Sequence, residues 1–234
     1  IKYYKMAIEK GQQEAMIDYA DMLIDGNGIQ QNQEEGIKYY KMAIDKGNGK
    51  AMNDLGQRYG RGVGMPINYV EAAKYFKMSA DAGYSLGIAN YGFMLQNGKG
   101  IQMNKQEAIK YYKLAIDKNE SVAMFSYAKM LKNGEGISQN IKEAIKYFKM
   151  SINYGYASAM ATYGEMLENG DCVQVDIDKA IKYYKMAIEK GNPLGMFKYA
   201  NLLKTGKGVS KNIDEAIKYY KLAIKNGSDK AMNA

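Results

Sequence analysis

The chain has 234 residues, 47% of them apolar, with 33 basic against 25 acidic side chains and a net charge of +8. It has no His, one Cys (Cys172), two Pro (Pro66 and Pro193) and no apolar run near the roughly 20 residues that a bilayer span needs. That composition excludes an internal disulfide, a cysteine-rich metal site and a membrane-spanning helix, and its lysine-dominated charge, with Arg58 and Arg61 the only arginines, leans weakly towards acidic partners.

The chain opens on IKYYKMAIEKG, residues 1–11, which returns letter for letter at 181–191. Close copies begin at Ile37, Ala73, Ile109, Ile145 and Ile217, at steps of 36 residues without insertion. Such a period signals stacked units that share a core along an axis. The phase predicts one array over 1–234: a half repeat at 1–11, full repeats at 12–47, 48–83, 84–119, 120–155, 156–191 and 192–227, and the start of another at 228–234. The chain starts inside a predicted helix without an initiator Met and stops in the first turn of another. Repeat stacks need polar caps at their ends, and neither end carries one, so it reads as a segment of a longer protein.

In the repeat 12–47, Gly11 ends the preceding helix, as glycine does where a left-handed residue follows a helix. Helix A is predicted over about 13–24, with Asn48, Asn192 and Ser228 as N-caps in later copies and Pro193 at the first helical position. GNGI then stops it. Helix B starts at Asn32, where Asn32 and Glu35 form a predicted capping box. The box recurs as Asn68/Glu71, Asn104/Glu107, Asn140/Glu143 and Asn212/Glu215, and is broken by Asp176/Lys179. Helix B runs to about Lys46. Its polar residues Glu34, Lys38, Lys41 and Asp45 form one narrow stripe, so most of its circumference must be buried between neighbours.

Tyr40, Phe76, Tyr112, Phe148, Tyr184 and Tyr220 are expected to fill the hairpin cores, opposite the small residues Ala20, Gly56, Gly92 and Gly164. Arg58 is out of place: its slot is Met22, Met94, Met130, Met166 or Leu202 elsewhere. It is expected to snorkel or to pair with an acid such as Asp54.

These residues resemble the Sel-one-like repeat family, a relative of the tetratricopeptide repeats. The third repeat matches its pattern through Gly87, Leu95, Gly98, Gly100, Ile101, Glu107, Ala108, Tyr111, Tyr112, Lys113 and Ala115. The sixth matches through Gly195, Tyr199, Ala200, Leu203, Gly206, Gly208, Val209, Ala216, Tyr219, Tyr220, Lys221, Ala223 and Gly227. Tyr often replaces the family Leu and Leu the family Tyr, which exchanges one bulky apolar group for another. The resemblance covers the whole chain. It implies an all-α, right-handed α-solenoid of helix-turn-helix repeats whose A helices line the concave side. It further implies a scaffold or adaptor for protein complexes, with no catalytic residue and no cofactor.

Other motifs fall to simpler readings. The paired glycines such as Gly98/Gly100 lack the strand and third glycine of a dinucleotide site and read as turns. Asp25–Gly36 lacks the glycine and bidentate glutamate of a calcium loop. KYYK interleaves charge and aromatics as single-strand nucleic-acid binders do, but its tyrosines fall in the buried arc, so nucleic acid is disfavoured. Its lysines (Lys38/Lys41, Lys110/Lys113, Lys182/Lys185) form a ridge, placed on the convex face by the resemblance. Glu35, Glu71, Glu107, Glu143 and Glu215, three residues before them, would partly neutralise it. No nucleophile stands beside a base, which argues against an enzyme and a small-molecule substrate.

Positions 14, 17, 21 and 24 and their equivalents vary freely and share one face of helix A, the proposed groove. The charge on this face is acidic in the first and fifth repeats, neutral in the third and basic in the others. The expected partner-binding residues are Leu86, Phe93, Val122, Phe125, Lys129, Lys132 and Phe197: aromatic anchors ringed by charge. The partner is a protein, expected to place apolar residues on the Phe93/Phe125 pair and acidic ones on the Lys129/Lys132 pair. The alternatives are an architectural subunit that packs through the lysine ridge and open ends, and a regulatory array attached to an enzyme domain elsewhere. The default compartment is the cytoplasm.

Overall fold

The structure, a computed structural model, describes residues 1–229 and 231. Among them are thirteen α-helices and no strand: α1 (Lys2–Glu9), α2 (Gln13–Asp25), α3 (Gln33–Asp45), α4 (Gly49–Arg61), α5 (Tyr69–Asp81), α6 (Ser85–Asn97), α7 (Lys105–Asp117), α8 (Ser121–Asn133), α9 (Ile141–Asn153), α10 (Ala157–Asn169), α11 (Ile177–Glu189), α12 (Pro193–Thr205) and α13 (Ile213–Lys225). Even-numbered helices are the A helices of the repeat and odd-numbered ones the B helices. The fold is an all-α solenoid of helix-turn-helix repeats. The chain falls into two compact units, residues 1–130 with 134–138 and residues 131–133 with 139–234. In the first unit α2 pairs with α3, α4 with α5 and α6 with α7; in the second α10 pairs with α11 and α12 with α13.

Helices this short are marginal alone, so their ends and contacts must hold them. Every A helix stops at a left-handed glycine: Gly26, Gly62, Gly98, Gly134, Gly170 and Gly206. The B helices end differently. In α3 the amide of Gly47 donates to the Ile44 carbonyl at 2.8 Å, and that of Asn48 to the Ala43 carbonyl at 3.2 Å. This is the Schellman arrangement, and it recurs after every B helix, with Asn119 standing in for glycine at φ +61°. Asn48 and Asn192 cap helices α4 and α12, with Pro193 at the first position of α12. Most of the helix expected after Ser228 lies outside the described residues.

The caps of the B helices hold one correction. Asn32 accepts from the Glu35 amide at 3.0 Å, as the capping box requires. The Glu35 carboxylate does not return to the Asn32 backbone; it accepts from the Asn32 side-chain amide at 3.2 Å. The backbone N–H is already taken, donating to the Leu23 carbonyl at 2.8 Å. The same bond joins Asn68 to Tyr59, Asn104 to Leu95, Asn140 to Leu131, Asp176 to Leu167 and Asn212 to Leu203. Each B helix is thereby tied to the A helix before it, which fixes the hairpin angle. The Asp176/Lys179 exception is a working cap: Asp176 accepts from the Lys179 amide at 2.9 Å and pairs with its ammonium at 2.7 Å.

The core follows the predicted rows. Tyr40, Phe76, Tyr112, Phe148, Tyr184 and Tyr220 are all buried. A Cβ on Gly56, Gly92 or Gly164 would stand 2.9–3.0 Å from the ring of Phe76, Tyr112 or Tyr184. The small residue therefore makes room for an aromatic ring, and the carbonyl oxygen of Ala72, Ala108 or Ala180 on the facing helix would lie 3.2–3.4 Å from the same Cβ. Ala20, Ala128 and Ala200 hold the same slot at full burial.

Candidate protein-interaction surface

The A-helix face divides into two kinds of position. Ile17, Asn53, Ala89 and Ala161, expected on the groove, are fully buried, as is Ile24. This row packs one A helix against the next, and the Asn90 side chain donates to Asn53 at 2.8 Å across the contact. Its sequence variation therefore reflects packing against neighbours that also vary. Phe125 and Phe197 occupy the same row and are half-buried, Phe197 with its ring 5.9 Å from that of Tyr220. Leu86, Val122 and Lys132 are also half-buried. Phe93 and Lys129 are exposed, Phe93 at 43%.

Most charges on this face are spent between consecutive repeats. Lys50 pairs with Glu14 at 2.8 Å, and Lys198 with Glu165 at 2.5 Å. Lys132, expected to meet an acidic partner beside Phe93 and Phe125, is held by Asp171 at 2.7 Å. Lys129 lies over the Phe125 ring, 5.7 Å from its centroid. The acidic and basic repeats of the face are thus largely each other's counterions.

Arg58 is the strongest case. Its guanidinium reaches back to the preceding repeat, bonding Asp21 at 2.7 Å and both oxygens of Asp25 at 2.7 and 2.8 Å. The Tyr40 hydroxyl donates to Asp21 in the same cluster. Hydrogen bonding from Arg58 holds the Asp25 carboxyl below the usual carboxylate range, while burial and the Asp21 carboxylate push the Tyr40 hydroxyl well above its ordinary value. Asp54 is not the partner: it accepts from Asn53 at 3.0 Å, and burial raises its pKa. Asp21 and Asp25 were not legible as partners because they lie 37 and 33 residues back, in a different repeat.

The opposite side also carries a pattern that spacing within one repeat conceals. The second lysine of KYYK lies over the tyrosine of the following A helix: Lys5 on Tyr19 at 6.0 Å, Lys77 on Tyr91 at 5.9 Å, Lys113 on Tyr127 at 5.6 Å and Lys185 on Tyr199 at 5.4 Å. These are cation–π distances. The tyrosine meets the first ring of the next doublet edge-on, as in Tyr91–Tyr111 at 4.8 Å and Tyr199–Tyr219 at 5.1 Å. The ridge lysines are therefore partly engaged. Of the glutamates expected to neutralise them, Glu71 pairs with Lys74 at 3.5 Å, whereas Glu35, Glu107, Glu143 and Glu215 face their asparagine caps.

Cys172 sits at φ +64° in the slot that glycine fills in the other repeats, and is exposed. Burial and the neighbouring Asp171 push its thiol up, away from the reactive thiolate. Among the described residues no group of three or more His, Cys, Asp or Glu side chains could hold a metal ion, and no helix is long and apolar enough to cross a membrane.

Comparison with known proteins agrees with this architecture. A family model described as Sel1 repeat matches six consecutive segments, 13–48, 49–84, 85–120, 121–156, 157–192 and 193–228. Among solved structures, a Sel1 repeat protein from Oxalobacter formigenes is similar at 24% identity, with a TM-score of 0.80 over 95% of this chain and 92% of that one. A protective antigen of uropathogenic Escherichia coli with an SLR fold is 26% identical, with a TM-score of 0.63 over 98% of this chain and 49% of its own. An immunity protein of Pseudomonas aeruginosa is 19% identical, with a TM-score of 0.70 over 93% and 82%. No curated protein sequence matches the chain.

Proposed function

We propose that this chain, which belongs to the Sel1 repeat family, is a non-catalytic adaptor that holds a protein partner along the A-helix face. Sel1 repeat proteins generally serve as protein-interaction scaffolds. The observation that carries the reading is Phe93. It is a large aromatic left 43% exposed on a face whose other large side chains are largely buried or engaged. An exposed ring that does not serve the core and is rimmed by charge is the usual make-up of an interface anchor. An extended or helical segment laid along this face of the first unit would set apolar side chains on Phe93 and the partly covered Leu86, Val122 and Phe125, and Phe197 would offer an apolar contact of its own on the second unit. Lys129 would meet its acidic groups, and Lys132 could do so only by leaving Asp171.

A cross-linking map of the native complex tests this directly. Partner cross-links should fall on lysines of the A helices, Lys129 above all. Phe93→Ala should weaken the partner by about 2 kcal/mol with no change in the melting curve. Cross-links confined to Lys38, Lys110, Lys182 and the chain ends would overturn the adaptor reading in favour of an architectural part.

A further inference from the structure

In three repeats the residue just after the A-helix glycine reaches back to the last turn of the preceding A helix. Glu135 accepts from Gln96 at 3.3 Å, Asp171 pairs with Lys132 at 2.7 Å, and Lys207 pairs with Glu168 at 3.2 Å. All three pairs are 39 residues apart, and their polarity changes in concert: an acid faces an amide or lysine, and a lysine faces an acid. At the same spacing the sequence has Val63 and Ile24, two apolar residues. One rung lacks a partner. Lys99 stands in this slot, and the position 39 residues before it is Gly60, which has no side chain to offer.

Lys99 is held in place nonetheless. Its amide donates to the Met94 carbonyl at 3.2 Å. The adjoining Gly100 is pressed so closely on α5 that a Cβ there would lie 2.1 Å from the Tyr69 carbonyl oxygen. That contact seats Tyr69 beside the lysine. The Lys99 ammonium lies 5.0 Å from the centre of the Tyr69 ring and 5.6 Å from that of Phe93. Among the described residues no carboxylate pairs with it. Tyr69 is 37% exposed and the adjacent Val70 64% exposed, so the two rings and the valine form an apolar margin around one uncompensated cation.

We propose that Lys99, set between Tyr69 and Phe93, anchors an Asp or Glu carboxylate of an acidic protein segment, whose neighbouring apolar side chain lies on Phe93. The proposal rests on the adaptor reading and adds Lys99 to its charged anchors. A partner carboxylate would take the place that Gln96, Lys132 and Glu168 take in the other rungs. The site costs little to organise, because backbone contacts and two rings already hold the lysine. The surrounding apolar area strengthens the ion pair by excluding water.

The vacancy suggests its own test. A Cβ at Gly60 would meet only the Ala72 Cβ, at an ordinary 3.6 Å, so a side chain fits there. Gly60→Glu should supply Lys99 with an internal acid, as Glu168 supplies Lys207. The probe is a fluorescein-labelled peptide of alternating Glu and Phe, compared with its Gln counterpart by anisotropy at low salt. The chain should bind the Glu peptide and not the Gln peptide. Lys99→Gln and Gly60→Glu should each weaken binding about tenfold with the helical signal intact, and Lys38→Gln, on the ridge, should leave it unchanged. Wild-type affinity in both variants, equal loss on changing any lysine, or no binding of the Glu peptide would each overturn the proposal. A native partner that Lys99→Gln still retains, but Phe93→Ala loses, would overturn this anchor and leave the adaptor standing; a native complex cross-linked only along the ridge would remove the adaptor itself.

Discussion

Replacing Gly92 with Ala sets two effects against each other. Alanine in a helix interior gains about 1 kcal/mol over glycine. The new methyl would stand 3.0 and 3.1 Å from two carbons of the buried Tyr112 ring, and overfilling such a site costs about 1–3 kcal/mol. The clash should win, leaving Gly92→Ala destabilising by up to about 2 kcal/mol. Tyr112→Ala alone should cost about 3–5 kcal/mol, since the ring is fully buried and its hydroxyl donates to Gln96 at 2.7 Å. With the ring gone, the nearest remaining atom is the Ala108 carbonyl oxygen at 3.4 Å, an ordinary contact. In that background Gly92→Ala should stabilise by about 1 kcal/mol, a reversal of sign. Urea denaturation followed by circular dichroism gives the four stabilities of the cycle. Hydrogen exchange of α6 and α7 amides localises the effect, because neighbouring repeats can open separately. The same sign and size in both backgrounds would refute the idea that glycine here makes room for the ring.

Arg58→Met, which restores the residue type of the other repeats, should destabilise by about 1–2 kcal/mol at pH 7, since it removes charge-assisted bonds that are only partly buried. The Asp25 pKa is depressed in the folded state, so its contribution is full above the unfolded carboxylate value of about 3.9 and disappears as pH falls through the folded value. The gap between wild type and variant, read from melts across pH, should therefore narrow below about pH 4. Cys172→Gly should stabilise by about 1 kcal/mol in a thermal melt, because a left-handed backbone strains every side chain but costs glycine nothing. Asn104→Ala should cost about 1 kcal/mol by urea melt, because the Glu107 amide loses its acceptor at 3.0 Å.

How much of this could be read from the letters depended on distance along the chain. Helix limits, caps and core rows were legible because each is set within a few residues and repeated several times. Asn48, Pro193 and the buried Tyr112 stand where the pattern places them. The partners of Arg58, the lysine–tyrosine contacts and the rungs 39 residues apart were not, because they join neighbouring repeats. A signal for the rungs did exist. Lys132 with Asp171 and Glu168 with Lys207 are complementary when columns one repeat apart are compared, whereas a single repeat shows only drift. The half of the capping box that failed had a local competitor, the Leu23 carbonyl, visible only once the hairpin is closed.

The departures from repetition concentrate in α4, and each acts on a neighbour. Leu55 stands where other A helices carry Tyr19, Tyr91, Tyr163 or Tyr199, and Tyr59 stands in a leucine slot. The ring is not lost but moved by one helical turn, and it stacks on Tyr75 at 5.8 Å and 4° in place of the edge-on contact. Arg58 draws on acids of the repeat before, and Gly60 withholds a partner from Lys99 in the repeat after. In a stack of near-identical units, regular positions satisfy one another and leave nothing for a partner to recognise. Selectivity must then come from a place where the exchange fails. A glycine in the last turn of a helix interior carries a propensity cost of about 1 kcal/mol, and no tight contact at Gly60 demands it. The vacancy it leaves at Lys99 gives that cost a purpose.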